Sequence, residues 1–428
     1  MPSSRMSVGM EGRRASAMDA QGTSEIRIEA KWQKKKCGLL YKQFLPLAYC
    51  FRSTGCLFIE GFHRKNDSHD LRVRSDGWYI LYAMCVHLIV WGVHLVTRWR
   101  NLQTSLNEYS DRGVRVPISF YTAVAINLVV LLQVVINTGT IFARGSTIRK
   151  VMVRGEVYDR NLNVTRRDCP DKGRHWIQFT LSYGFAIPLN AIFCYVSSIR
   201  PYRSSDQALW LFLNVIDILS LMIFCMWANA SRLMLKALSH IFWMYLRRIN
   251  TSVQTVLRGE RDGAKELEEN RLFLCEFYGI LSQTNDLLKY SVLVFYPCTM
   301  LVLTVLIYSC IESIHETWQI WYALSYGLYS VIDVCHSSYV VHVMQCEAVE
   351  IRSNVNRAVY SGRSPEFVAQ AQLLLQALDV PAITFTGCGF FRIRMSLVVT
   401  VLGSVLTYAV ILIQTSQGFQ CGAQVSVP

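Results

Sequence analysis

Seven runs of about twenty mostly apolar residues, 77–97, 118–142, 176–199, 208–235, 288–311, 319–343 and 395–415, set the strongest constraint on this chain. Each has the length a helix needs to cross the hydrocarbon core of a bilayer. Of the 428 residues, 52% are hydrophobic, as expected when most of a chain is dissolved in lipid. The predicted fold class is therefore an all-α membrane protein with seven transmembrane helices. An eighth apolar stretch, residues 37–60, is interrupted by Lys42, Pro46, Arg52 and Gly55, and reads as a short interfacial or re-entrant helix.

The charge distribution gives the expected orientation. Residues 1–36 are polar, carry Arg13-Arg14 and Lys34-Lys35-Lys36, and have no apolar core, so they read as a disordered cytosolic tail rather than a signal peptide. With the N-terminus inside, 37 of the 43 Lys and Arg fall on the cytosolic side and 6 on the outer side. Positive charge retained on the cytosolic face is the usual topology signal. An odd number of spans then puts the C-terminus outside. This asymmetry also accounts for the net charge of +13 without a nucleic-acid partner. The sequons at Asn66, Asn163, Asn229 and Asn250 all miss the predicted outer loops. The 14 cysteines show no Cys-X-X-Cys and no metal-ligand spacing, and no cofactor is expected.

The loops are unequal. The outer connections at 200–207 and 312–317 are short, so any ligand from outside must bind among the helices. Residues 77–343 are expected to form a six-helix ligand-binding unit with cytosolic extensions over 231–289. Leu257-Arg258-Gly259 and Asp262-Gly263 interrupt those extensions, and Leu267, Leu272, Leu274, Phe277 and Leu281 are expected to pack in a cytosolic bundle. Ser364-Pro365-Glu366 combines an N-cap, a first-turn proline and an early acid, and so starts a cytosolic helix over 364–379. Gly387-Cys388-Gly389-Phe390-Phe391 then turns the chain into a last helix over 390–416, followed by an outer tail, 417–428.

That last helix is polar on one side. At 100° per residue, Thr400, Ser404, Thr407, Ile411 and Gln414 lie within about 80° of one another. Val398, Val401, Val405 and Leu412 lie opposite. A glutamine in hydrocarbon is unfavourable unless it meets water or a polar group. The stripe is thus either a water-facing wall or a seam of interhelical hydrogen bonds. Tyr408, turned about 100° from Thr407, is expected to pack on a neighbouring helix.

Candidate ligand-binding residues cluster at comparable depth. They are His87, Trp91 and His94 on the first span, Tyr121 and Asn127 on the second, and Asn190 and Tyr195 on the third. The fourth offers Trp210, Asn214 and Asp217, and the sixth Trp318, Trp321, Tyr322, Ser325, Tyr326 and Tyr329. Aromatic walls with a few polar groups suit small organic ligands, although Trp and Tyr also form ordinary interfacial belts. Asp217 and Asp333 are the acids well inside spans, where carboxylates are functional candidates or structural partners of polar neighbours. His336 and His342 suit packing or gating better than metal binding. The sequence has no zinc-protease helix, phosphate loop or nucleophile elbow, and is not expected to be an enzyme.

Thr407-Tyr408, five apolar residues and Gln414, following Gly387-Cys388-Gly389-Phe390-Phe391, resemble the C-terminal signature of insect gustatory receptors, relatives of insect odorant receptors. The resemblance extends over residues 38–420. It implies a homotetrameric ligand-gated, non-selective cation channel in the plasma membrane of sensory neurons, assembled from one chain or with related receptors. It further implies a tastant of sugar or bitter type bound in the outward half of the six-helix unit, a central pore lined by the last helix (Ser404, Thr407, Ile411, Gln414 and Thr415), and an anchor domain of inner helices. One departure stands out. Family members carry Phe after the Gln, where this chain has Thr415, so a hydrophobic gate at that level is in doubt; closure at Ile411 or by a ring of Gln414 amides would replace it. A metabotropic seven-helix receptor is disfavoured by the orientation and by the missing Asp-Arg-Tyr and Asn-Pro-X-X-Tyr elements. A transporter is disfavoured by the lack of an internal repeat.

Overall fold

Three helices of 43 to 51 residues form the frame of the molecule. The structure is a computed structural model and describes residues 39–57, 59–60, 72–73, 77–111, 118–162, 207–259, 263–312, 317–360 and 363–424. Residues 1–36 and the expected third span at 176–199, with Asn190 and Tyr195, lie outside the described residues.

In chain order the elements are α1 (Leu39–Ser53), β1 (Ile59–Glu60), β2 (Arg72–Val73), α2 (Gly77–Asp111), α3 (Ile118–Ala143), α4 (Gly145–Asn161), α5 (Gln207–Leu257), α6 (Gly263–Glu312), α7 (Thr317–Val359), α8 (Pro365–Ala377), a 3-10 turn (Val380–Ala382), β3 (Thr386–Gly387), β4 (Phe391–Arg392) and α9 (Met395–Gln424). At 1.5 Å per residue, α5 and α6 are each about 75 Å long, far more than a bilayer needs. The surplus forms a bundle in which α8 packs on α6 and α7.

Among the described residues four helices are long and apolar enough to cross a membrane: Gly77–Asp111, Leu211–Leu257, Gly263–Tyr308 and Met395–Thr415. A fifth crossing exists if Asn127–Ala143 and Gly145–Asn161, bent by 63°, are one broken span. The expected span at 319–343 lies within α7. Its Tyr, Ser, His and Asp333 dilute the apolar run, so α7 falls short of that criterion.

The bundle core is aromatic. Phe242 of α5 meets Phe277 of α6 edge-on at 5.6 Å and stacks on Phe385 at 6.2 Å. Tyr158 of α4 meets Tyr245 at 4.8 Å. Leu267, Leu274, Phe277 and Leu281 are buried as the helical period predicts. Leu272 is not: it is 55% exposed, because five residues from Leu267 place it about 140° off that face. The breaks fall where the sequence puts them. α5 ends at Leu257, with Gly259 at φ +82°, and α6 begins at Gly263. Ser364 caps α8, its hydroxyl accepting from the Phe367 amide at 3.4 Å.

α4 lies between the apolar runs at 118–142 and 176–199, where no helix was expected. It buries Ile148, Val151, Met152, Gly155 and Tyr158 against α1 and α6. α1 is 15 residues long, contains Pro46, and buries Leu40, Phe44, Leu47 and Phe51. The Leu40 amide in its first turn donates to Asp159 Oδ2 of α4 at 2.9 Å, which satisfies an otherwise orphaned helix-end donor.

The β3–β4 hairpin aims α9. Cys388 (φ +51°) and Gly389 (φ +83°) make its tight turn. Gly387 lies against α6: a Cβ there would sit 3.1 Å from Leu293 Cα and 2.6 Å from the Phe391 ring. Only hydrogen fits between hairpin and helix. Asn285 of α6 fixes the same turn, accepting from the Thr386 amide at 2.9 Å.

Candidate functional site

α9 has two unlike faces. Val398, Val401, Val405 and Ala409 are buried against α6 and α7. Thr400, Thr407, Ile411, Gln414 and Thr415 are exposed, with Ser404 half-buried. The polar stripe seen in the sequence is thus the side that the rest of the chain leaves open. Three of its hydroxyls are already spent as donors: Thr400 bonds to Ser396 O at 3.1 Å, Thr407 to Gly403 O at 3.0 Å and Thr415 to Ile411 O at 2.7 Å. Each oxygen therefore turns only acceptor lone pairs outward, the polarity that suits cations. Tyr408 is 51% exposed, as are its neighbours Leu406 (61%) and Val410 (51%), so within one chain it does not pack closely on another helix.

The α2 stripe meets α5. His87 stacks on Trp227 with ring centroids 4.4 Å apart, and His94 stacks on Phe224 at 3.9 Å. Trp91 presents its edge to Phe224 at 5.6 Å. His87 Nδ1 lies 2.8 Å from the Ala83 carbonyl, which fixes the tautomer that donates from Nδ1. Asn214 and Asp217 are buried on α5, and the Thr97 hydroxyl donates to Asp217 Oδ1 at 3.0 Å. Around Asp217, a small chamber is bounded by His94, Thr97, Arg98 and Ser220.

The remaining candidates are spread more widely. Tyr121 of α3 is 61% exposed, and Asn127 is half-buried. On α7, Trp321 and Ser325 are exposed, whereas Tyr326 and Tyr329 are half-buried with ring centroids 6.4 Å apart. Trp210 belongs to the first turn of α5, and Trp318 and Tyr322 to the first turns of α7; their side chains lie outside the described residues.

Asp333 resolves differently from Asp217. Arg232 Nη1 of α5 donates to Asp333 Oδ2 at 2.9 Å, and Lys236 pairs with Oδ1. Arg232 also lies over the Phe295 ring of α6 at 5.0 Å. The three charged groups are nearly buried and tie α5 to α7. Sequence alone offers polar neighbours as partners for Asp333, not these two cations of α5. Their signal was the i,i+4 spacing of Arg232 and Lys236 at the end of an apolar run. Nearby, Asn137 of α3 donates to the Ala228 carbonyl at 2.8 Å, and its Oδ1 accepts from Ser231 at 2.9 Å. Such buried polar ties hold spans in register where lipid offers no hydrophobic drive.

Asn229 and Asn250, two of the four sequon asparagines, sit inside α5, donating to Cys225 O and to Glu347 Oε1, both at 2.7 Å. Neither is presented as a loop acceptor. No group of three or more His, Cys, Asp or Glu among the described residues could hold a metal ion.

Comparison with known proteins places this architecture. Residues 61–419 match the sequence profile described as 7tm chemosensory receptor. The fold is similar to the insect olfactory receptor OR5 from Machilis hrabei, with a TM-score of 0.64 and 12% identity over 87% of this chain and 98% of that one. The same receptor in complex with eugenol gives a TM-score of 0.62 and 13% identity over 88% and 98%. At such identity the likeness is one of fold. No curated protein matches the chain. With a match that runs from the β1–β2 connection into the last helix, the chain belongs to the 7tm chemosensory receptor family, a family of receptors rather than enzymes.

Proposed function

We propose that this chain is a gustatory-type receptor that is itself a ligand-gated, non-selective cation channel. Four copies surround a central pore lined by α9, and a small organic tastant binds among the helices of each copy. The N-terminus is cytosolic and the receptor resides in the plasma membrane of sensory neurons. The observation that carries this reading is the division of α9 into a packed valine face and an open face of Thr400, Thr407, Gln414 and Thr415.

Four such faces around an axis would give a pore of amide and hydroxyl oxygens without fixed charge. That lining stabilises partly hydrated cations without sharp selection among them. Thr407 and Gln414, seven residues apart, stand about 10 Å apart along the axis. The apolar neighbours Val399, Leu406 and Val410 are exposed beside the stripe, where copies of α9 and lipid would cover them. Closure then falls to Ile411 or to a ring of Gln414 amides, since Thr415 replaces the aromatic that relatives carry. A ligand opens the pore only by the difference between its affinities for the open and closed forms.

The test is electrophysiological. Gln414→Ala in the expressed receptor should change basal current or cation permeability while leaving surface expression intact. Wild-type currents and selectivity in that variant would remove Gln414 from the pore.

A further inference from the structure

The chamber between α2 and α5 has room for a single water-sized group, and the half-exposed Arg98 is among the residues that line it. Asp217 is 4% exposed. One of its oxygens accepts from Thr97, but Oδ2, also buried, has no hydrogen-bond partner among the described residues. A buried carboxylate oxygen left this way is unfavourable until it receives a donor, since the charge of Arg100 reaches Asp217 without a hydrogen bond to Oδ2.

The other polar groups of the chamber make the demand specific. The Thr97 hydroxyl hydrogen is committed to Asp217, and the Ser220 hydroxyl hydrogen to the Val90 carbonyl at 3.1 Å. Both residues line the chamber with Asp217, so their oxygens are left with acceptor capacity only, as is Oδ2. Three acceptors among the lining residues of a water-sized space call for a compact group with several donors and no need to accept. A primary ammonium has that character, whereas an alcohol brings one donor and an acceptor of its own. The rim asks for the opposite charge. Arg98 is half-exposed and forms no ion pair among the described residues. Its guanidinium would repel a plain amine at the entrance and matches a carboxylate in a two-pronged contact.

We propose that this chamber binds a small zwitterion of the α-amino acid type, its ammonium held by Asp217, Thr97 and Ser220 and its carboxylate by Arg98. His94, fixed flat against Phe224, walls the ammonium end. The proposal names the chemical class of ligand for one part of the ligand-binding reading above and rests on that reading only for the route by which the ligand arrives.

The test is binding to the full-length protein in lipid nanodiscs, followed by thermal shift and calorimetry with glycine, ethylamine, acetate and glycerol as probes. Glycine should stabilise the protein saturably and more tightly than the other three. Asp217→Asn should weaken glycine at least about tenfold, the effect of losing one charge-assisted hydrogen bond. Ser220→Ala, a smaller change at the same wall, should weaken it less while keeping the fold. Arg98→Gln should erase the preference for glycine over ethylamine. Equal glycine binding by wild type and Asp217→Asn, glycerol or ethylamine binding as well as glycine in the wild type, or no saturable shift would each overturn the proposal. Binding of glycine without any evoked current would count against the channel and leave this site standing. Currents evoked by another compound, with no glycine binding, would do the reverse.

Discussion

The two ends of this molecule are built to different standards. In the bundle formed by the extensions of α5, α6 and α7 with α8, Phe242, Leu246, Phe277, Ile351 and Leu374 are all fully buried within one chain. In the apolar windows of α2 and α9, only 22% of residues are buried, against 56% in α6. The first region is finished by its own sequence; the second is completed by lipid and, in our account, by other copies of the chain. A receptor must hold its shape somewhere and change it elsewhere. Dense packing resists small displacements and changes by discrete rearrangement, so the proposed function puts ligand and gate on the loosely covered helices.

Substitutions can break or sharpen this contrast. Phe242→Ala removes a ring held between Phe277 and Phe385 and should cost about 3–5 kcal/mol. Val399→Ala, at a position 73% exposed on α9, should leave the stability of one chain within about 0.5 kcal/mol. Unfolding in detergent compares the two directly, and similar losses would erase the distinction between regions.

Asp333→Asn should cost about as much as breaking any buried ion pair, about 3–5 kcal/mol, because Arg232 and Lys236 would be left charged and unpaired. Replacing all three residues by apolar ones of similar volume should recover most of that loss. Failure of this triple variant to recover would mean that the ions do more than pair.

Gly387→Ala forces a methyl into the seam with Leu293 and Phe391 and should destabilise by about 1–3 kcal/mol, read as a lowered Tm. Because this hairpin aims α9, gating should shift together with stability.

The smallest expected effect is a pH dependence in the bundle. Burial raises the Glu276 carboxyl above its ordinary range, with Arg154 opposing. The folded state thus holds its proton more tightly than the unfolded chain does. The resulting stability is present at low pH and is lost as pH rises from the ordinary carboxylate range through the raised value. Glu276→Gln should flatten that part of the stability profile, measured by denaturation across mildly acidic pH.

What could be read from the sequence follows from what physics writes into it. Apolar runs, the Ser364 cap and the break before Gly263 are local signals; among the described residues helices occupy six of the seven apolar runs, and α8 and α6 start where the cap and the break put them. α4 was missed because the bend at Arg144 interrupts the chain after a long apolar run. Its own signal, Ile148, Val151, Met152, Gly155 and Tyr158 at helical spacing, was present. The α2 stripe of His87, Trp91 and His94 was legible as a stripe. Its partners Phe224 and Trp227 were not, because inside a uniformly apolar span the packed face carries no label. Arg232 and Lys236 were counted only as cytosolic charge. Their pairing with Asp333, about a hundred residues away, needs the tertiary fold.

The most direct test of the central claim is thiol accessibility on α9 during current recording. Thr407→Cys, on the open face, should be blocked by a water-soluble thiol reagent, relative to an unmodified receptor exposed to the same reagent. Val401→Cys, on the face packed against α6 and α7, should be spared. A receptor whose current is indifferent to modification at Thr407→Cys, with labelling of that thiol verified, would contradict a pore lined by the polar face of α9.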